Sequence, residues 1–268
     1  MPTPIVVLSE DPAASSAAEV YAALLAKTMA VPLCLLRVAP APPLPREMSS
    51  PQRAGHSGAD NAAVIDAETL ISQKVAAELA EQDALLVVML RPSGPTPLLN
   101  WRATTVWALL QAVRPPLLLV PAGRANRGLP LHIALVADGD PFMLVHGQRA
   151  MHALLLTLPI HITVLHASAP RSSSSLADAL QTVLACGLAA RYLTTATTLA
   201  VPAPGTVAGI LAGARQMGAD LLVLIIRQTS LGEAGFGAGP MAALLQQSPV
   251  PVLLLLAADV MNALPGFQ

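Results

Sequence analysis

Charge is scarce in this chain. Lys and Arg number fifteen and Asp and Glu sixteen among 268 residues, only 12 % together, with a formal net charge of −1. No Lys/Arg cluster stands anywhere, so the basic footprint that DNA or RNA binding requires is missing. Cysteine is nearly absent too. Cys34 and Cys186 sit among apolar neighbours with no second Cys or His at ligand spacing, which makes each a small buried hydrophobe rather than a metal ligand or redox pair. The opening Met1 to Glu10 has no basic residue and no signal-peptide cleavage pattern, and the expected location is cytoplasmic. The last absence is of length. Hydrophobic residues reach 54 %, a share that suggests a membrane protein, yet the apolar runs Leu85–Leu90, Leu117–Val120, Leu221–Ile226 and Val252–Ala258 are all far short of the roughly 18 residues a spanning helix needs. No membrane partner is expected. Short continuous Val/Ile/Leu runs are instead the signature of parallel strands covered by helices on both faces.

What is present repeats. An apolar strand, Ile5 to Leu8, leads through a polar, Pro-marked turn at Ser9 to Pro12 into a helical pattern with Ala17, Val20, Tyr21, Leu24 and Leu25 on one face. A second strand follows from Leu33 to Val38. The order returns as Ile133 to Val136, a turn at Asp138 to Pro141, an apolar helix through Leu154 to Leu156 and a strand from Ile160 to His166. Ile5 and Ile133 stand 128 positions apart, and Pro32 and Pro159 stand 127 apart. Further on, Asp83 before Ala84 to Leu90 matches Asp220 before Leu221 to Ile226 at an offset of 137. The last strands, Leu117 to Val120 and Val252 to Leu256, match at 135.

The halves differ mainly in the middle. In the second half that stretch carries a Ser-rich N-cap at Arg171 to Ser175, a helix near Leu176 to Cys186, Gly187 as its stop, and a strand around Arg191 to Thr197. The first half has Pro-rich coil from Ala39 to Asp60, where one helix is lost, and a short strand candidate at Ala63 to Asp66. A further helix is expected in both halves, at Glu68 to Glu81 and at about Thr206 to Met217. Alternating strands and helices joined by right-handed crossovers give doubly wound sheets. The expected organisation is an α/β domain at 1–121, a linker at 122–130, a second α/β domain at 131–258 and a tail at 259–268.

The strand-turn from Ile133 through Asp138 and Gly139, the strand Ile162 to His166, the run Gly218-Ala219-Asp220-Leu221-Leu222-Val223-Leu224, and Ser248-Pro249-Val250-Pro251-Val252-Leu253 together resemble a tandem universal stress protein of the UspA-like kind. The resemblance covers nearly the whole chain. It implies two five-stranded, mostly parallel, Rossmann-like sheets of order 3-2-1-4-5 flanked by helices, and a homodimer or intramolecular pseudo-dimer built by pairing the last strands. Leu117 to Val120 would then lie beside Val252 to Leu256, protecting two apolar edges.

Members of the family that bind ATP place an Asp at the end of the first strand and a glycine-rich loop after the fourth, ending in Gly followed by Ser or Thr. Here Met89 and Pro92 replace the first two glycines in the N-terminal half, while Ala103-Thr104 keeps the hydroxyl and loses its glycine. In the C-terminal half Ile225 and Gln228 replace them, but Asp138 and Gly139 are kept. Gly232, Gly235, Gly237 and Gly239 form a new glycine-rich loop, closed by Pro240 where the hydroxyl belongs. These six residues are the candidate nucleotide crevice. The alternative for the loop is a connection ending at Pro240 as the first residue of a helix.

Other candidates are plainer. His146 and His152, six apart, do not share a helical face and suit surface positions better than zinc. Ser172 to Ser175 suit an N-cap and loop better than phosphorylation. Asp138 and Asp140 show no base, nucleophile or metal partner beside them, so no catalysis is expected beyond weak nucleotide hydrolysis. Two functions remain. One is a non-enzymatic interaction module in stress response, with degraded ATP-binding loops, no cofactor and protein partners. The other is a stress sensor binding ATP or ADP with Mg through the C-terminal half.

Overall fold

The computed structural model describes residues 3–9, 17–37, 67–91, 106, 109–110, 115–124, 128–144, 148–166, 175–186, 197–200, 207–227 and 240–259. Their strands form one sheet. In the N-terminal half β1 (Ile5–Ser9) lies between β2 (Leu33–Arg37) and β3 (Leu86–Arg91), and β4 (Leu117–Pro121) follows β3, all parallel. The C-terminal half contains β5 (His132–Ala137), the short β6 (Phe142–Leu144), β7 (His161–His166), β8 (Thr197–Ala200), β9 (Leu221–Arg227) and β10 (Val252–Asp259). Its parallel strands run β8-β7-β5-β9-β10, the order 3-2-1-4-5. The candidate third strand of the N-terminal half, Ala63 to Asp66, and the Pro-rich stretch Ala39 to Asp60 lie outside the described residues.

Apolar runs become strands here because both faces are covered. Alternate residues of every central strand feed two separate apolar layers. Ile5, Val7, Leu86, Val88, Leu118, Ile133, Leu135, Val223 and Leu253 face one way, against α1 (Ala17–Met29), α3 (Gln148–Thr157) and α4 (Leu176–Ala185). Val6, Val87, Leu117, Ala134, Leu222, Val252 and Leu254 face the other way, against α2 (Ala67–Glu81), α5 (Val207–Gln216) and α6 (Pro240–Gln247). Among the described residues, no helix is long and apolar enough to cross a membrane. The face α1 buries keeps Tyr21 and Leu25 of the expected one and adds Ala18, Ala22, Ala26 and Met29, while Val20 is exposed. Alanines let the helix approach the sheet closely, and Tyr21 and Leu25 supply the bulk.

The two halves meet at an antiparallel seam. Val252 pairs with Leu119, Leu253 with Leu118 and Leu254 with Leu117. The repeat that carries Leu117 onto Val252 also carries Leu118 onto Leu253, so the central pair of the seam joins a residue to its own counterpart. That is the pattern of a two-fold interface, enclosed within one chain.

Register revises three landmarks. Ile5 pairs with Leu86 and Ile133 with Leu221, so Leu221 is the counterpart of Leu86 and Gly218, not Asp220, is the counterpart of Asp83. Both of those have left-handed backbone, φ 43° at Asp83 and 66° at Gly218, and both follow a helix that must turn back into a strand. Asp220 has a different duty: its carboxylate accepts from the Leu131 N–H at 3.2 Å and its own N–H donates to the His132 carbonyl at 2.8 Å, tying the start of β9 to β5. The prolines are also not equivalent. Leu33 corresponds to Ile162, so the counterpart of Pro32 is His161, two residues after Pro159. Of the strand expected around Arg191 to Thr197, the described part is Thr197–Ala200, and the last strand runs to Asp259, one residue past the expected end of the domain.

Leu118 and Leu253 are both buried on the same face of the seam. Replacing either with Ala is expected to cost about 2–5 kcal/mol in urea unfolding. Because the two side chains pack together, the double variant should lose at least ~0.5 kcal/mol less than the sum. Strict additivity would mean that the seam does not couple the halves.

Candidate functional site

In a doubly wound sheet the ligand crevice opens at the carboxyl ends of the strands, where strand order reverses. In the C-terminal half that point lies between β5 and β9, because β7 flanks β5 on one side and β9 on the other. The chain leaving β5 there turns sharply at Asp138-Gly139-Asp140-Pro141. Gly139 takes φ 94°, a conformation that favours glycine, and the Asp140 N–H donates to Asp138 Oδ1 at 3.0 Å, an Asx turn. The turn then leads into β6, which pairs antiparallel with the end of β10: Leu144 with Ala257, Met143 with Ala258, Phe142 with Asp259. The sequence pattern did not indicate this strand.

Two side chains hold the turn. Thr182 of α4 donates its hydroxyl to the Gly139 carbonyl at 3.1 Å in a buried contact. Arg227, the last residue of β9, grips the other side. Its Nη2 donates to Asp138 Oδ1 at 2.9 Å, to Oδ2 at 3.2 Å and to the Asp140 carbonyl at 2.9 Å, while Nη1 donates to the Pro141 carbonyl at 3.1 Å. The Arg227 side chain is 18 % exposed and that of Asp138 45 %. A planar fork of donors suits this task, since one side chain serves a carboxylate and two carbonyls at once.

Beneath the pair lies a cavity of about 220 Å³. Its wall is apolar, with Val136, Phe142, Ile210, Leu224, Ile225 and Leu244 among its lining, and Asp138 and Arg227 contribute its charges. Of the six residues read as a nucleotide crevice, Asp138 and Gly139 stand together in the turn. Gly232, Gly235, Gly237 and Gly239 lie outside the described residues. Pro240 is the first residue of α6, as expected for a proline at a helix start. What sequence reasoning missed was Arg227, a single cation closing an otherwise apolar strand.

The N-terminal half is built differently. Leu90 pairs with Val120 and Ile225 with Leu255, so the residue standing where the first glycine of a phosphate loop belongs is Leu90 rather than Met89. Pro92 and Gln228 lie outside the described residues. Ser9, ending β1, donates its hydroxyl to Glu19 Oε1 at 2.7 Å, tying α1 to the strand. Arg91 reaches across to the Ser248 carbonyl ahead of β10, and burial lowers the pKa of its guanidinium below the ordinary value.

The remaining candidates resolve simply. Ser175 is the N-cap of α4 in a reciprocal capping box with Asp178, whose N–H donates to Ser175 Oγ at 3.2 Å. Cys186 is buried and Cys34 half-buried. His152 is exposed on α3, and His146 lies outside the described residues. Among the described residues no group of three or more His, Cys, Asp or Glu could hold a metal.

Neither protein-family models nor curated proteins match the sequence. Solved structures do. A universal stress protein from Archaeoglobus fulgidus superposes with a TM-score of 0.53 at 14 % identity, covering 93 % of this chain and 95 % of that one. A functionally unknown protein from Pseudomonas aeruginosa covers 97 % of this chain and 84 % of its own, at 15 % identity and a TM-score of 0.42. The first likeness shows that this chain has the universal-stress-protein fold.

Two outcomes follow from the geometry. Arg227→Ala is expected to destabilise the chain by about 1–3 kcal/mol, because a carboxylate and two carbonyls lose their donor. Arg227→Lys should restore only part of this in urea unfolding, since an ammonium cannot span the same fork. The cap of α4 has an acid limit. Hydrogen bonds from the Ser175 backbone and side chain lower the Asp178 pKa. Its stabilising effect is therefore complete above the unfolded aspartate value of about 3.9 and is lost as pH falls through the lower folded value. Thermal unfolding across that acid window should show the loss in the natural chain and none of this contribution in Asp178→Asn, which has no carboxylate to protonate.

Proposed function

We propose that this protein is a universal-stress-protein-like tandem module that acts in stress response through contacts with other proteins, without catalysis and without nucleotide. The observation that carries this reading is the grip of Arg227 on Asp138: the carboxylate that would face a nucleotide already has a charged partner within the chain, at 2.9 Å. A phosphate cradle also gains its affinity from several N–H groups presented together, and Ile225 adds bulk where close approach is needed. Losing two or three charge-assisted hydrogen bonds, each worth about 1.5–3 kcal/mol, moves a micromolar site toward the millimolar range.

The second reading is an ATP- or ADP-binding stress sensor that uses Mg and the C-terminal half. It is favoured by the position of Asp138, 45 % exposed at the switch point of the sheet. In that case the nucleotide competes with Arg227 for Asp138. Titration calorimetry of the full chain with ATP and Mg²⁺ separates the two. The nucleotide-free module predicts no binding tighter than about 1 mM. A low-micromolar dissociation constant that disappears in Asp138→Ala establishes the sensor instead.

A further inference from the structure

Resting on the reading that the C-terminal crevice takes no nucleotide, we infer that its cavity is a binding site for a compact, uncharged, largely apolar molecule of one or two rings. Size comes first. A void of about 220 Å³ exceeds the roughly 150 Å³ of an engineered apolar cavity that accepts benzene, and it falls below the range of about 300–1,000 Å³ typical of sites for larger ligands. Chemistry comes second. The wall is built from aliphatic side chains with Phe142, and its two charges, Asp138 and Arg227, are paired with each other. A charged ligand would have to break that pair, whereas an uncharged one leaves it intact.

The cavity opens to solvent, so a ligand seated in it would displace water from its apolar wall. Val207, Ile210, Ile225 and Met241 are each only partly covered, so the cavity presents apolar surface that a ring would remove from water. Val207 and Ile210 stand on α5 and Met241 on α6, the helices that flank the opening.

Indole is a suitable probe: two fused rings, no charge, and one N–H donor. Titrated into the full chain, it is expected to bind saturably at one site with a dissociation constant of about 0.1–1 mM. Nuclear Overhauser contacts from its ring protons should reach the Met241 and Ile225 methyl groups. Filling the cavity from its rim with V207F or M241W should weaken binding at least tenfold, provided circular dichroism shows the variant folded. The contacts measured on the unaltered chain decide the matter if neither variant folds. Absence of saturable binding, contacts to other methyl groups only, or unchanged affinity in a folded filled variant overturns the assignment. An ATP arm keeps the two readings apart. Micromolar ATP binding lost in Asp138→Ala overturns the nucleotide-free reading and this site with it; inert ATP together with inert indole overturns this site alone.

Discussion

The antiparallel pairing of β4 with β10 is the contact on which the rest of the molecule depends. Each half ends in a strand of almost wholly apolar residues, and such a strand left at an edge would present unpaired backbone groups for stray association. Joining the two removes both edges together and lets the apolar layer on each face run from one half into the other. Ile5 and Ile133, for instance, belong to the same layer. A chain with 12 % charged residues has few other means of guarding an edge. The two-fold pattern of the seam follows from the repeat, since counterpart strands paired antiparallel about a shared centre are related by a two-fold axis.

The halves are nevertheless unequal. On the C-terminal side α4 covers the face of β7, where Ile162 and Val164 are buried. On the N-terminal side their counterparts Leu33 and Leu35 are 44 % and 45 % exposed. The crevices diverge as well. One strand end is tied off by Ser9 and Glu19, the other by the clamp of Arg227 on the Asp138 turn. A repeated scaffold has been kept while its two carboxyl-end surfaces have been given different chemistry, the usual relation between fold and function.

The clamp and the cavity explain each other. A partly exposed ion pair adds little by itself, because water screens it. Arg227 also satisfies two carbonyls of a turn held from the opposite side by Thr182, so the turn is fixed at two points. With its charges matched internally, the crevice is left with an apolar wall and a small volume.

Much of the fold was legible in the sequence because burial leaves a periodic trace. Unbroken Val/Ile/Leu runs marked β1, β3, β9 and β10, the turn at Asp138 to Pro141 was marked by Gly and Pro, and the resemblance to universal stress proteins placed the last strands side by side. Of the candidate site, the turn at Asp138 and Gly139 was readable locally, while its reading as a nucleotide crevice came from the resemblance. What sequence could not supply were facts set by register and by contacts distant along the chain. Asp83 and Asp220 look equivalent as letters, but strand pairing makes Gly218 the counterpart of Asp83, because a left-handed turn after a helix is what the position requires. β6 is three residues long and exists through its pairing with β10. Arg227 lies 89 positions from Asp138, and only the adjacency of β5 and β9 brings a guanidinium to that carboxylate. Hydrophobic pattern thus determined which segments are buried strands and helices, and the tertiary structure decided which polar side chains meet at their ends, since that depends on strand order and register rather than on any local preference.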